Sequence, residues 1–435
     1  MLVISLISVF WVIFLLPSYT YLSFFCLFGL LYYLTSFRSF FNSAVSAFQS
    51  FYIIDSTALF IVLLLFLILY VSYILSFSSS SPLVIFIVFV SLFFFCYQVF
   101  TTSHLFQLYF YYEASLIPIL YIIIKWGSYP ERSLRALIIL TYTLFFGAPV
   151  IILIIYINSC IGSWYYLVIN CNRSLLVSLF IFLCFSVKLP IYGLHFWLPI
   201  AHVEAPTYGS VILARILLKL GGVGLIRLED LMNVPLIKDF FISYFIVFIV
   251  FRRVVCCYQS DFKRLIAYSS VAHIIVIPFL IFANTVLSFQ SLLLIIFLHG
   301  LSSTLIFIRV GLLYSMFATR QLVLIRGLLL MSPLFRALLV FVFLFTLSAP
   351  PFPSYVAEVL FIFSSYILSR DVLYTVLLFA FLGLVYNLNW LVSIVFATAD
   401  TSVYSSMYLT YSFFISSIMI FIELVPLCSL FYLLW

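Results

Sequence analysis

Ser186-Val187-Lys188-Leu189-Pro190-Ile191-Tyr192-Gly193-Leu194-His195-Phe196-Trp197-Leu198-Pro199 is the stretch that decides the fold. It continues an apolar run that begins at Ser174. An ammonium at bilayer depth costs about 2.5–3.5 kcal/mol on insertion scales, so Lys188 implies a partner or a task. Pro190 removes a backbone hydrogen bond, and lipid tolerates the freed carbonyls only where protein or a water-filled cavity satisfies them. The expectation is a broken membrane helix with a buried charge at its break.

The surrounding chain has the same character. Of 435 residues, 67% are hydrophobic and 7% charged, with a mean hydropathy of +1.35. Too few polar residues remain to cover an aqueous core, so the chain reads as an all-α polytopic membrane protein. Apolar runs of about 18–25 residues suit helices crossing ~30 Å of hydrocarbon and exclude short barrel strands. They fall near 2–16, 20–35, 57–77, 82–100, 104–125, 135–158, 175–199, 208–228, 238–257, 262–284, 286–310, 335–368, 372–396 and 404–430, which makes about fourteen spans. Nothing basic precedes the first run, the first cation being Arg38, so it reads as a retained helix rather than a leader. Eight scattered cysteines without a C-x-x-C pair read as small buried residues. The chain also has no glycine-rich phosphate loop or dinucleotide fingerprint.

The net charge of +7 reads as topology rather than as a nucleic-acid footprint, because the cations lie between apolar runs. Alternating the connections puts eleven on one side: Lys125, Arg132, Arg135, Arg252, Arg253, Lys263, Arg264, Arg309, Arg320, Arg326 and Arg336. Five, Arg38, Arg173, Arg227, Lys238 and Arg370, lie on the other, less basic side, which is the outer one and takes both termini.

Five charges sit deep within the runs: Glu113, Lys188, Arg215, Lys219 and Glu358, with Asp55 and Glu423 nearer the ends. One such charge commonly pins helices together; five together point to charge movement. Glu113 and Lys188 would relieve each other's desolvation if their helices pack, and they serve as a proton switch only if the pair can open. Gly221, Gly222 and Gly224 beside Lys219 would admit a neighbouring helix. Arg215 lies one turn before Lys219 on the same face and either tunes it or snorkels away. Of His104, His195, His202, His273 and His299, the last two have adjacent hydroxyls able to order water, as a relay or as packing. Pro350, Pro351 and Pro353 precede Glu358 as Pro190 follows Lys188. Two broken helices roughly 160 residues apart, each beside a buried charge, suit an inverted-repeat transporter, and kinks for packing alone are the competing account.

Several motifs carry a family likeness between about 105 and 360. They are Glu113-Ala-Ser-Leu-Ile-Pro118 with Trp126-Gly127 and Pro130-Glu131-Arg132, the Lys188 to Pro199 segment, and His202-Val-Glu-Ala-Pro206. They continue as Leu217-Leu-Lys-Leu-Gly-Gly222, Gln259-Ser-Asp-Phe-Lys263, Leu265-Ile-Ala-Tyr-Ser-Ser270 with His273, His299-Gly-Leu-Ser-Ser303, and Pro350-Pro351 with Glu358. Through them the chain resembles the antiporter-like membrane subunits of respiratory complex I, NADH–ubiquinone oxidoreductase. Ile200, Arg215 and the pair Arg309 and Gly311 depart from that family's usual residues.

The resemblance implies two inverted five-helix repeats: N-terminal helices over 1–100, a first half-channel over 101–230, a second over 231–396 and a last helix over 397–435. It implies proton translocation with Glu113 and Lys188 as modulating pair, Lys219 as central relay and Glu358 in the second half-channel. His273, His299 and Lys263 would form the connecting axis, with helix breaks at Pro190, Pro350 and Pro351. No cofactor is expected in this chain; FMN, iron–sulfur clusters, NADH and ubiquinone would belong to partner subunits of the NADH:ubiquinone reductase. The implied partners are the other membrane-arm subunits and lipids, without nucleic acid, in the mitochondrial inner membrane. The Phe-rich, Lys-poor composition also suits a biased organellar genome. A multisubunit cation/proton antiporter chain and a structural membrane scaffold are the alternatives.

Overall fold

The computed structural model describes scattered positions from Ala58 to Leu75 and then residues 82–395, apart from 128–129, 162–174, 192, 233–234, 318, 323–332 and 351. The expected spans at 2–16, 20–35 and 404–430, most of 57–77, Pro351 and the unit 397–435 lie outside the described residues.

Helices occupy nearly all of the described chain, which contains no strand. They are α1 (Pro82–Thr101), α2 (Leu105–Ala114), α3 (Leu116–Trp126), α4 (Arg132–Ile161), α5 (Leu175–Lys188), α6 (Trp197–Glu204) and α7 (Thr207–Ile212). A π-helical turn, Leu213–Leu217, leads to α8 (Leu218–Arg227), α9 (Glu229–Met232), α10 (Pro235–Cys257), α11 (Phe262–Ile274) and α12 (Val276–Ala283). The order closes with α13 (Val286–Phe317), α14 (Pro333–Thr346), α15 (Pro353–Leu368) and α16 (Arg370–Val395). Among the described residues, eight segments are long and apolar enough to cross a membrane, and Val177–Lys188 and Pro353–Leu368 are shorter apolar helices beside the two breaks.

Prolines set the interruptions. Pro118 cannot donate to Ala114, so α2 and α3 meet in a kink at Ser115; Pro278 does the same to α11 and α12 at Ile275. The run near 175–199 stops at Lys188, two residues before Pro190. The run near 335–368 stops at Thr346 and restarts with Pro353, a residue suited to a helix's first turn.

Burial separates the middle of the bundle from its rim. The span Thr207–Arg227 is 94% buried and Arg132–Ser159 only 28%, so the first is core and the second peripheral. Exposed Leu137, Phe145, Ile152, Tyr374 and Phe381 mark rim faces of α4 and α16 that suit an apolar surrounding. Two of the expected glycines bring α8 against α5. A Cβ on Gly224 would collide with the Phe185 ring, and one on Gly221 would stand 2.8 Å from Leu189 Cγ and 3.0 Å from the Phe185 carbonyl. Gly222 instead faces Ile277 at an ordinary 3.4 Å.

The loop reading of the cations needs correction. Arg252, Arg253, Lys263, Arg309 and, from the other set, Arg227 are buried inside the bundle. α10 runs on to Cys257 packed against α11 and α16, so its arginines find partners inside rather than headgroups outside. Arg227 donates to the carbonyls of Val99 at 3.0 Å, Thr102 at 2.5 Å and Phe100, closing the end of α1 as a cation does at a helix C-terminus. Cys96, Cys184 and Cys256 are buried as expected, whereas Cys257 is exposed on the outward side of the same turn.

Candidate functional site

At the first break, Pro190 leaves the Ser186 carbonyl without its helical donor, and Ile191 N–H reaches it only at 3.5 Å. The Val187 carbonyl, freed one residue on, accepts from the Trp197 indole at 2.8 Å. Gly193 follows in the left-handed region, φ +87°, and lets the chain turn into α6. This bracing fixes Lys188, 1% exposed, with its ammonium donating to the Tyr112 carbonyl and standing 3.1 Å from the Tyr112 ring centroid. The kink at Ser115 makes that carbonyl available, and the Ser115 hydroxyl also donates to it, at 2.7 Å.

Glu113 adjoins Tyr112 but turns elsewhere. A Cβ on Gly147 of α4 would lie 3.1 Å from Glu113 Oε1 and 3.0 Å from the Tyr109 hydroxyl, so the absent side chain makes room for the carboxylate. No ion pair within 4.0 Å joins Glu113 to Lys188. The two expected partners are neighbours in an open arrangement, with a tyrosine between them.

Lys219, also 1% exposed, donates to the Ala214 carbonyl at 3.1 Å across the π turn, where the i+5 spacing presents that carbonyl to it. Its Nζ lies 3.3 Å from His299 Nδ1 on α13. Arg215 does not snorkel: it is buried and donates to the Leu301 carbonyl at 2.8 Å, two residues past His299. The His299 and His273 ring centroids are 5.6 Å apart and no hydrogen bond joins the rings, whose bonded nitrogens face Lys219 and Arg253. Both rings line a cavity of about 60 Å³ that extends to Glu358 and is edged by the hydroxyls of Ser269, Ser302 and Ser348. That volume holds a few waters, enough to bridge groups that do not touch.

The second break aims Glu358. Ser348 lies in the left-handed region at φ +53°, strained for a residue with a Cβ, and its hydroxyl donates to Glu358 Oε1 at 2.8 Å. Ser354 donates at 3.0 Å to the Phe345 carbonyl at the end of α14, which also accepts from Ser348 N–H at 3.3 Å, much as Trp197 serves Val187. Among the expected site residues, the structure thus gathers His299, His273 and Glu358 around one cavity, with Lys219 behind its wall against His299, and Glu113 and Lys188 forming a second group between α2 and α5.

Lys263 belongs to neither. It begins α11, ten residues before His273, and ten residues of helix span about 15 Å. Its ammonium donates to the Ala205 carbonyl at 2.6 Å, beside Arg320, which donates to the Val203 carbonyl at 3.1 Å. Glu204 closes this corner through Arg135, 2.5 Å away, and burial lifts its carboxyl above the usual range despite that arginine. His202 stacks on Phe307, and burial, reinforced by the Lys263 charge, presses its imidazole down to about 3.

Sequence reasoning missed Tyr112, Trp197, Ser348 and the inward turn of Arg253. Only the tyrosine next to Glu113 and the serine next to a proline cluster carried any signal. Among the described residues, no group of three or more His, Cys, Asp or Glu side chains gathers to hold a metal.

A family model described as NADH:quinone oxidoreductase/Mrp antiporter, transmembrane, matches residues 102–384. NADH-ubiquinone oxidoreductase chain 4 of Petromyzon marinus is 35% identical over 306 residues, covering 67% of this chain and 67% of that one. The protein of the same name from Chondrus crispus is 33% identical over 369 residues, 81% of this chain and 74% of that one. Against several others of that name the alignment spans 59–62% of their length. In fold, the chain superposes on a chain of respiratory complex I from Thermus thermophilus with a TM-score of 0.78 at 18% identity, covering 90% of this chain and 88% of that one. The match over residues 102–384 takes in both helix breaks and every buried charge described above, and the chain belongs to the family of NADH:quinone oxidoreductase and Mrp antiporter membrane subunits.

Proposed function

We propose that the chain is a proton-translocating, non-redox membrane-arm subunit of NADH:ubiquinone oxidoreductase, complex I, in the mitochondrial inner membrane. NADH oxidation and quinone reduction, with FMN and iron–sulfur clusters, belong to partner subunits, and this chain contributes charge movement alone. The observation that carries the reading is Lys219 Nζ at 3.3 Å from His299 Nδ1, with His299 opening onto the hydroxyl-lined cavity that ends at Glu358. A proton released at the Lys188 and Glu113 group passes to Lys219, to His299, and through cavity water to Glu358.

The fourteen-helix count and the two inverted repeats belong to the same proposal. They are supported by a regular offset: Pro118 and Pro278 are 160 positions apart, as are Glu113 and His273, and Pro190 and Pro350. Each repeat then has a titratable side chain five residues before a kinking proline, and a proline break farther on. The half-channels would divide near residue 230, as 101–230 and 231–396.

Lys219→Met keeps volume and removes the titratable group. In the intact assembly in liposomes it lowers protons moved per NADH while redox turnover and assembly persist; unchanged coupling rejects the relay. A cation/proton antiporter would instead show sodium-dependent exchange with no redox partner in the purified material. A scaffold would lose assembly, not coupling, on Lys188→Met.

A further inference from the structure

α10 sends two arginines into the bundle, and the relay described above uses neither. Arg253 is 2% exposed and reaches the cavity wall from outside the relay. Its guanidinium donates to the Tyr386 hydroxyl at 2.6 Å and to His273 Nε2 at 3.1 Å, and lies 4.2 Å from the Phe379 ring centroid. Gly383 leaves the necessary space: a Cβ there would stand 3.0 Å from one terminal nitrogen and 3.1 Å from the guanidinium carbon. His273, Tyr386 and Glu358 line the same cavity, so the charge is fixed just behind its wall, against His273 and Tyr386.

A guanidinium has no acceptor and keeps its proton, so His273 Nε2 must be the acceptor and the proton of the neutral ring lies on Nδ1. That nitrogen is therefore closed to a proton arriving from cavity water. A permanent positive charge a few Å from confined water also repels an excess proton, because a low-dielectric surrounding screens it weakly. Arginines placed in narrow polar pores exclude protons in this way.

We propose that Arg253 is the charge barrier of the relay, a positioning residue that blocks passive proton flow between His299 and Glu358 and holds His273 in one tautomer. Tyr386 aims it and Gly383 admits it. The proposal rests on the relay reading above and fails separately from it.

The test uses the intact assembly in liposomes and reads two quantities: decay of an imposed pH gradient without NADH, and protons moved per NADH. Arg253→Gln should speed the decay on the order of tenfold, the factor that about 1.4 kcal/mol off a barrier gives, with redox turnover retained. Arg253→Lys keeps the charge and should stay near the parent rate. Should Arg253→Gln not assemble, Tyr386→Phe decides, since it keeps charge and volume but unties the 2.6 Å hydrogen bond; it should give an intermediate leak. Adding Lys219→Met to the leaking variant should remove the extra leak. A parent-like leak in Arg253→Gln or in Tyr386→Phe overturns the barrier. Unchanged coupling in Lys219→Met alone overturns the relay instead.

Discussion

Three glycines in one turn of α8 are expected to respond very differently to the same methyl group. At Gly222 the nearest atom to a new Cβ is Ile277 Cγ2 at 3.4 Å, ordinary contact, so Gly222→Ala should gain the helix preference of alanine, up to about 1 kcal/mol. At Gly224 the methyl collides with the Phe185 ring, which Tyr112 hems in edge-on at 5.0 Å between centroids. At Gly221 the obstacles include backbone, the Phe185 carbonyl at 3.0 Å and Leu189 N at 3.1 Å, so α5 itself must retreat. Overpacking of this kind costs about 1–3 kcal/mol. The gap between Gly222→Ala and either neighbour is then about 2–4 kcal/mol, a factor of roughly 30 or more in the open population. The assay is thiol labelling of Cys184, buried on α5 one residue from Phe185, read by mass spectrometry on its own peptide after the exposed Cys257 has been blocked. Phe185→Leu should rescue Gly224→Ala and leave Gly221→Ala unrescued. Equal labelling in all three alanine variants, or rescue of both, would refute the close approach of α8 to α5.

Trp197→Phe removes the donor to the buried Val187 carbonyl and should cost about 1–3 kcal/mol, read as faster labelling of Cys184 above the break, with Lys188 less firmly seated. His202 gives a pH dependence outside the spans. Its folded affinity, about 3, is below the ordinary 6.5, so the unfolded chain binds the extra proton and stability rises with pH across that window. His202→Phe should flatten the acid side of a thermal-stability profile between about pH 3 and 6.5; an unchanged slope would remove this histidine as its source.

The broken helices were readable because Pro190 and Pro350 remove hydrogen bonds whatever the surroundings, and the charges beside them stand out against an apolar run. Gly221 and Gly224 announced a close approach for the same local reason. Arg253 was not readable. It lies a few residues from the polar Gln259-Ser-Asp connection, where hydropathy assigns any arginine to a membrane edge, and only the packing of α10 against α11 and α16 turns it inward. Lys263 is a case where sequence proximity and spatial placement part. Its motif places it near His273 in sequence, but helical rise carries it to another corner of the bundle. Glu113 and Lys188 show the limit of charge pairing as a guide: opposite signs suggested a pair, and the Tyr112 carbonyl took the hydrogen bond.

Lys188 rests on Tyr112, Lys219 on Ala214, Arg215 on Leu301 and Lys263 on Ala205, in every case through a main-chain oxygen. A peptide carbonyl is supplied by whichever residue stands there, so substitution of the supporting residue does not erase the acceptor. Mutational drift can therefore rewrite much of the apolar wall, even towards a phenylalanine-rich vocabulary, without orphaning the cations. Second-site suppressors of damage at these lysines should then map to prolines, glycines and the π turn, which set where the carbonyls point, and rarely to acidic side chains.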